Sequence, residues 1–384
     1  MIIDNRLAPV IPKQGGVTPV RVLYLIMKRI KIGKRWVGEG RPCFIIAEAG
    51  SNHNKSLSQA KRLIDVAKEA GVDAVKFQTF QAEKLTASKR DTPLFKTLKN
   101  YELPKKWHQE LLKYANLKGL VFLSTPFDER GVNLLEDIGV LAFKVASGDI
   151  THFPLLMYIA KKGRPIILST GASTLREVES ALGVISNSGN EQIILLHCVV
   201  QYPANLKEVN LRALTLMEEV FPYPIGLSDH TLGKLVPLGA VALGAKVVEK
   251  HFTLDRTLAG PDHPFALEPA ELKEMVREIR SLEKALGKKL KRPVKREAKM
   301  RIEARRGIYA QVDIPKDTTI TKKMLKIVRP AKGIEPKDYD LVLGRKARMN
   351  IKEGEEIRWG KISNAKNVVI RRYHILWRVK VWER

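Results

Sequence analysis

Cysteine is almost absent from this chain of 384 residues: only Cys43 and Cys198 occur. Both lie inside apolar stretches, so neither a disulfide framework nor a cysteine-based zinc cluster can be built, and two buried free thiols are expected. Long apolar runs are missing too. The longest candidate, residues 22–27, falls far short of the roughly 20 residues that a membrane-spanning helix needs. A secretory signal is not expected either, because Lys28, Arg29, Lys31, Lys34 and Arg35 follow that run where a small-residue cleavage site would stand. The expected compartment is the cytoplasm, with no membrane partner. Acidic side chains are also scarce, 41 against 68 basic ones, for a net charge of +27. That balance raises nucleic acid as a partner. The excess is local, however: residues 1–40, 287–306 and 365–384 carry +6, +8 and +5. Two solvated ends and a charged connector account for most of it, so no nucleic-acid partner is expected.

What the chain has in quantity is alternation. Over residues 43–253, short runs rich in Val, Ile and Phe alternate eight times with longer amphipathic patterns. The strand candidates are 43–50, 73–79, 120–126, 142–148, 165–171, 193–199, 224–230 and 246–253. In the first interval, residues 57–71 place Ala60, Leu63, Ile64 and Ala67 on one helical face and end on Gly71 as a cap. Eight strand-helix units predict an α/β fold of the closed (β/α)8, or TIM-barrel, kind rather than an open sheet. A last helix is predicted over Pro269–Leu286, followed by a small β-rich unit with turn signals at Pro315, Asp317 and Gly333. The expected divisions are an extension and lead-in over 1–36, the barrel over 37–286, a basic linker over 287–304, the small domain over 305–364 and a basic tail over 365–384.

Each strand candidate begins apolar and finishes polar, and in a parallel barrel those finishing ends share one face. His230 and His251 stand 21 residues apart at the ends of adjacent strands. Strands about 4.8 Å apart would let both imidazoles reach one divalent ion, with Glu48 close by. Lys76 and Lys144, joined by Thr125, Ser147, Ser169 and Ser228, predict an anion site for phosphate or a phosphorylated carboxylate. A Schiff-base lysine is the competing reading, and it leaves the two histidines without a role. His197, inside an apolar run, is expected to support a neighbour.

The motifs FIIAEAGSNHNKSLSQAKRLIDVAKEAGVDAVKFQTF, FLSTPFDERGV, FKVASGDITHFPLL, IILSTGAS, IGLSDHT and EKHFTLDRTLAGPDHPFALEP closely resemble the N-acetylneuraminate (sialic acid) synthase family. The segment from Arg305 to Ile357 is similar to that family's C-terminal antifreeze-like (SAF) domain. The resemblance implies condensation of phosphoenolpyruvate with N-acetylmannosamine or a related N-acylamino sugar, releasing phosphate. It implies that His230 and His251 bind manganese or magnesium, that Lys76, Thr125, Lys144, Ser147, Ser169 and Ser228 hold phosphoenolpyruvate, and that Glu48 serves the proton transfers. Gln78, Tyr202 and Asp262 would face the sugar. Arg329 would reach the sugar's acyl group from the other subunit of a domain-swapped homodimer.

Departures from the family pattern gather around substrate. Val200 stands where relatives often offer a polar group, Asp149 where Glu is usual, His152 where Asn is common, and Ala331 where the pattern often reads Gly. They bear on the identity of the sugar more than on the reaction. The nearest rival is a phosphoenolpyruvate-dependent synthase with a phosphorylated aldose acceptor; from another class, it is a degenerate barrel carrying a basic nucleic-acid surface.

Overall fold

The structure, a computed structural model, describes residues 29–363; the first 28 residues of the expected 1–36 lead-in and the predicted tail over 365–384 lie outside them. The chain forms two compact units that divide between Gly287 and Lys288.

The first unit opens with an antiparallel hairpin, β1 (Arg29–Ile32) and β2 (Arg35–Gly38), in which Ile32 faces Arg35 across the turn. Eight parallel strands follow: β3 (Phe44–Gly50), β4 (Ala74–Thr79), β5 (Val121–Pro126), β6 (Phe143–Val145), β7 (Ile166–Ser169), β8 (Ile193–Cys198), β9 (Ile225–Asp229) and β10 (Val247–His251). Their hydrogen-bonded order is β5-β4-β3-β10-β9-β8-β7-β6, and β5 lies alongside β6, which closes the barrel. Every predicted strand is present.

Helices of the outer ring follow the strands. The first, α1 (Leu57–Ala70), starts where the Ser56 side chain accepts a hydrogen bond from the Gln59 backbone N–H, and it stops at Gly71 in the left-handed conformation (φ 81°). Its predicted apolar face, Ala60, Leu63, Ile64 and Ala67, is buried. The ring continues with α2 (Ala82–Leu85), α3 (Pro93–Tyr101), α4 (Lys105–Leu117), α5 (Glu129–Ile138), α6 (Phe153–Ala160), α7 (Leu175–Asn187), α8 (Ala213–Val220), α9 (Leu235–Ala242) and α10 (Pro269–Leu286). Among the described residues no helix is long and apolar enough to cross a membrane.

Side chains alternate along each strand, and the two faces build two cores. Ile45, Ala47, Val75, Phe77, Phe122 and Val145 point outward to the helices. Phe44, Ile46, Ala74, Val121, Leu123, Ile167, Ile194, Leu196 and Val247 point inward and fill the lower barrel. Ile30, Ile32 and Val37 of the hairpin join that inner cluster and floor the barrel. The lead-in expected over 1–36 therefore does not end ahead of the barrel: β2 runs to Gly38 and belongs to its base. One inward position must stay small. A Cβ on Gly226 would meet the Val247 carbonyl at 2.5 Å and Leu196 at 2.7 Å. Gly226→Ala is expected to destabilise the protein by about 3 kcal/mol through overpacking, measured by urea unfolding; a loss below about 0.5 kcal/mol would show that the two strands can part freely.

The second unit contains α11 (Ala298–Glu303) within the basic connector, an antiparallel pair β11 (Gly307–Ala310) and β12 (Leu325–Val328), and α12 (Tyr339–Val342). Isolated bridges such as Ile314 with Ile351 and Ala347 with Ile362 supply the remaining pairing. The segments predicted as strands are thus mostly single bridges between turns, organised by a core of Ile308, Ile314, Ile320, Ile334, Ile351 and Ile357.

Candidate active site

The inward face that is apolar at the base turns polar at the carboxyl ends of the same strands. Two residues after Ile46 comes Glu48; two and four after Ala74 come Lys76 and Gln78; two after Leu123 comes Thr125; two after Ile167 comes Ser169; two and four after Val247 come Glu249 and His251. These groups line one pocket of about 400 Å³ together with Lys144, Ser147, Tyr202, Ser228, His230, Asp262 and Phe265. Every predicted site residue except Arg329 is in that lining. Arg329 belongs to the second unit and is exposed there.

Glu249, absent from the expected set, occupies the centre. Its carboxylate lies 3.6 Å from the Lys76 ammonium and 3.9 Å from that of Lys144, and it accepts a hydrogen bond from Ser228 Oγ at 3.1 Å. The signal was its place two residues before His251 on the same strand face. Lys76 also pairs with Glu48 at 2.8 Å and donates to Thr125 Oγ1 at 3.1 Å. Lys144 donates to Ser169 Oγ at 2.7 Å and to the Val145 carbonyl at 2.9 Å. Gln78 donates to Glu48 at 3.1 Å.

Burial and charge set the protonation of these groups in different directions. Burial opposes the charge on Lys76, yet Glu249 and Glu48 outweigh it and hold the ammonium above the ordinary lysine range. Burial prevails at Lys144, which lies below that range despite Glu249. Glu48 is pushed up to about 7 by burial, with Lys76 opposing and Glu249 adding to the rise. Glu249 itself is held down because the two lysines overcome its burial.

The two histidines meet at the mouth, with ring centres 5.4 Å apart. His230 Nδ1 lies 2.8 Å from the Val199 carbonyl; a carbonyl only accepts, so Nδ1 carries the proton and Nε2 keeps its lone pair. His251 Nδ1 is buried without a hydrogen-bond partner. Burial lowers both pKa values, that of His251 well below the usual range with His230 adding to the effect. Neutral imidazoles are the metal-binding form. The pair therefore fits a divalent ion that takes its remaining ligands from water or substrate. Among the described residues no cluster of three His, Cys, Asp or Glu side chains surrounds such a position. Tyr202 packs on His230 at 4.3 Å, and Phe265 packs on His251 at 5.0 Å.

Asp262 reaches the rim from the segment after β10, where Ser51 donates to it through backbone N–H and Oγ, both at 2.9 Å. A Cβ on Gly50 would collide with that carboxylate, so this corner is shaped around it. His197 points outward and bonds the Val209 carbonyl at 2.7 Å. Cys43 and Cys198 are buried and free, and Cys198 lines the pocket.

Residues 63–291 match the NeuB family, and residues 305–363 match the SAF domain. This chain belongs to the NeuB family. Its NeuB relatives include an N,N'-diacetyllegionaminic acid synthase of Legionella pneumophila, 42% identical over 85% of this chain and 96% of that one. The human N-acetylneuraminate-9-phosphate synthase is 38% identical over 84% of this chain and 93% of its own length. Among solved structures, the N-acetylneuraminic acid synthetase of Leptospira borgpetersenii superposes with a TM-score of 0.68 at 38% identity, covering 71% of this chain and 95% of that one. The NeuB match falls almost wholly in the first unit, where it spans the barrel strands from β4 onward, and the SAF match falls in the second.

Proposed function

We propose that this NeuB chain is a nonulosonic acid synthase that joins phosphoenolpyruvate to N-acetylmannosamine or a related N-acylamino sugar and releases phosphate. The reading is carried by one observation: two ammonium groups and two neutral imidazoles converge on a single pocket. The names of the relatives support the product class.

Lys76 with Thr125, and Lys144 with Ser169, hold the phosphate and carboxylate of phosphoenolpyruvate, and the hydroxyls of Ser147 and Ser228 complete the anion site. Gln78, Tyr202 and Asp262 orient the sugar. His230 and His251 would hold a manganese or magnesium ion, whose chemistry is Lewis-acid polarisation of the aldehyde oxygen. The methylene carbon of phosphoenolpyruvate bonds to the aldehyde carbon, water adds to the neighbouring carbon, and the bond from that carbon to the phosphate oxygen breaks. One proton of the water ends on the former aldehyde oxygen and the other leaves with phosphate. Lys76 and Lys144 stabilise the departing charge. Glu48 takes and returns the proton.

Acting as a base, Glu48 works ionised, so with its pKa near 7 kcat/KM is expected to fall about tenfold per pH unit below that point. Glu48→Gln should be slow and should lose this acid limb; an unchanged limb in the variant would assign it to another group. The function itself is tested by phosphate release with N-acetylmannosamine, its 6-phosphate, a diacetamido sugar and arabinose 5-phosphate, each with and without manganese, and by the mass of each product. Turnover of arabinose 5-phosphate alone, or of no sugar, would overturn the proposal.

A further inference from the structure

Directly behind the two histidines lies a pair of charges that the pocket does not use. Asp229 and Lys250 are register partners in β9 and β10, and each immediately precedes a histidine, His230 in one case and His251 in the other. By strand alternation they point away from the pocket, and neither lines it. Their side chains are only 2% and 1% exposed, and the ammonium sits 2.6 Å from Asp229 Oδ2. The same carboxylate accepts from Thr231 Oγ1 at 3.0 Å through Oδ2 and from the Thr231 backbone N–H at 3.1 Å through Oδ1. Lys250 also donates to the Thr231 carbonyl. The residues on both sides of His230 are therefore tied to the residue just before His251.

We infer that Asp229, Thr231 and Lys250 form a positioning clasp that sets the spacing and aim of the His230 and His251 imidazoles. The inference rests on the proposed metal role of those rings. Taking two charges out of water costs more than most such pairs return, and an apolar pair of similar volume commonly serves stability as well or better. What an apolar pair lacks is directional bonds that fix one strand end against its neighbour. The rings need that support: His230 is oriented through Nδ1 by the Val199 carbonyl, while Nδ1 of His251 has no partner. Asp229, Thr231 and Lys250 touch neither ligand nor substrate; they act through the backbone that carries the rings.

The test uses the full chain with Mn²⁺ alone as probe, its binding followed by the electron paramagnetic resonance of free Mn²⁺ and its melting temperature recorded in parallel. The double variant Asp229→Leu with Lys250→Met removes the charges together and leaves none unpaired. It orphans the buried Thr231 N–H and hydroxyl, so it should melt somewhat below wild type, and while folded it should bind Mn²⁺ about 10- to 100-fold more weakly, the range for groups that orient metal ligands. Affinity within twofold of wild type in the folded double variant overturns the clasp. Should that variant melt far below wild type, Thr231→Val decides: it removes one hydroxyl bond, a loss of affinity of about threefold or more is expected, and unchanged affinity overturns the inference. Wild-type protein that binds no Mn²⁺, or binding that survives His230→Ala, would bring down the metal reading and the clasp together. Tight wild-type binding matched by the variants removes the clasp alone.

Discussion

Lys76→Met is expected to lower kcat/KM by about 10³-fold or more, through losses that reinforce one another. Methionine is unbranched and only one atom shorter, so the change is chiefly one of charge. On the proposed reading the variant loses a donor to the phosphate. It also leaves Glu48 and Glu249, both buried, without the ammonium that lies 2.8 Å from one and 3.6 Å from the other. Two neighbouring buried carboxylates cannot both stay ionised cheaply, so Glu48, already lifted to about 7, should rise further and the acid limb of the rate profile should move to higher pH. Phosphate release measured from pH 6 to 9 checks both effects. Retention of activity within tenfold, with the limb unmoved, would place the decisive positive charge elsewhere. Lys144→Met should be less damaging to the profile, since Lys144 lies 3.9 Å from Glu249 and, among the described residues, makes no ion pair with Glu48.

His251→Ala should abolish measurable turnover and weaken Mn²⁺ binding by about 100-fold while leaving the fold intact. On the proposed metal role His251 is one of two protein ligands, and among the described residues no cluster of three such side chains offers a replacement. The structural cost is small because the ring fills no sealed core position. It lines an open pocket and packs against Phe265 at 5.0 Å and Tyr202 at 6.3 Å, so water can enter the space it leaves. Circular dichroism and a melting temperature within a few degrees of wild type would confirm the fold. Activity that persists in chelator-treated variant protein would remove His251 from the mechanism.

The barrel was legible because period two and period 3.6 alternate so regularly along residues 43–253. The helix Pro269–Leu286 begins on its Pro and ends before a Gly, and its predicted and observed limits coincide. The same alternation, followed one step further, names Glu249: Val247, Glu249 and His251 share a strand face, and a carboxylate two residues before an inward histidine must also face inward. Residue type alone assigns this carboxylate no role; the parity of the strand does. The expected lead-in over 1–36 takes in most of the hairpin at 29–38, whose short strands bury Ile30, Ile32 and Val37. What the hairpin packs against is set by tertiary contact, which no local pattern reveals. Strand-like patterns in the small domain overstate its strands, since a compact chain of turns can meet its pairing needs with single bridges. Arg329 is a different case: its expected role depends on a second copy of the chain, and a single sequence carries no geometry for that.

The stopper beneath the barrel has a consequence for how such molecules can be cut and recombined. Its apolar residues come from ahead of the eightfold repeat, and without them Phe44, Ile46, Val121 and Val247 would form an open greasy end. The transferable module is therefore the repeats together with their plug, and a splice placed at Cys43 would move the chemistry while leaving its foundation behind.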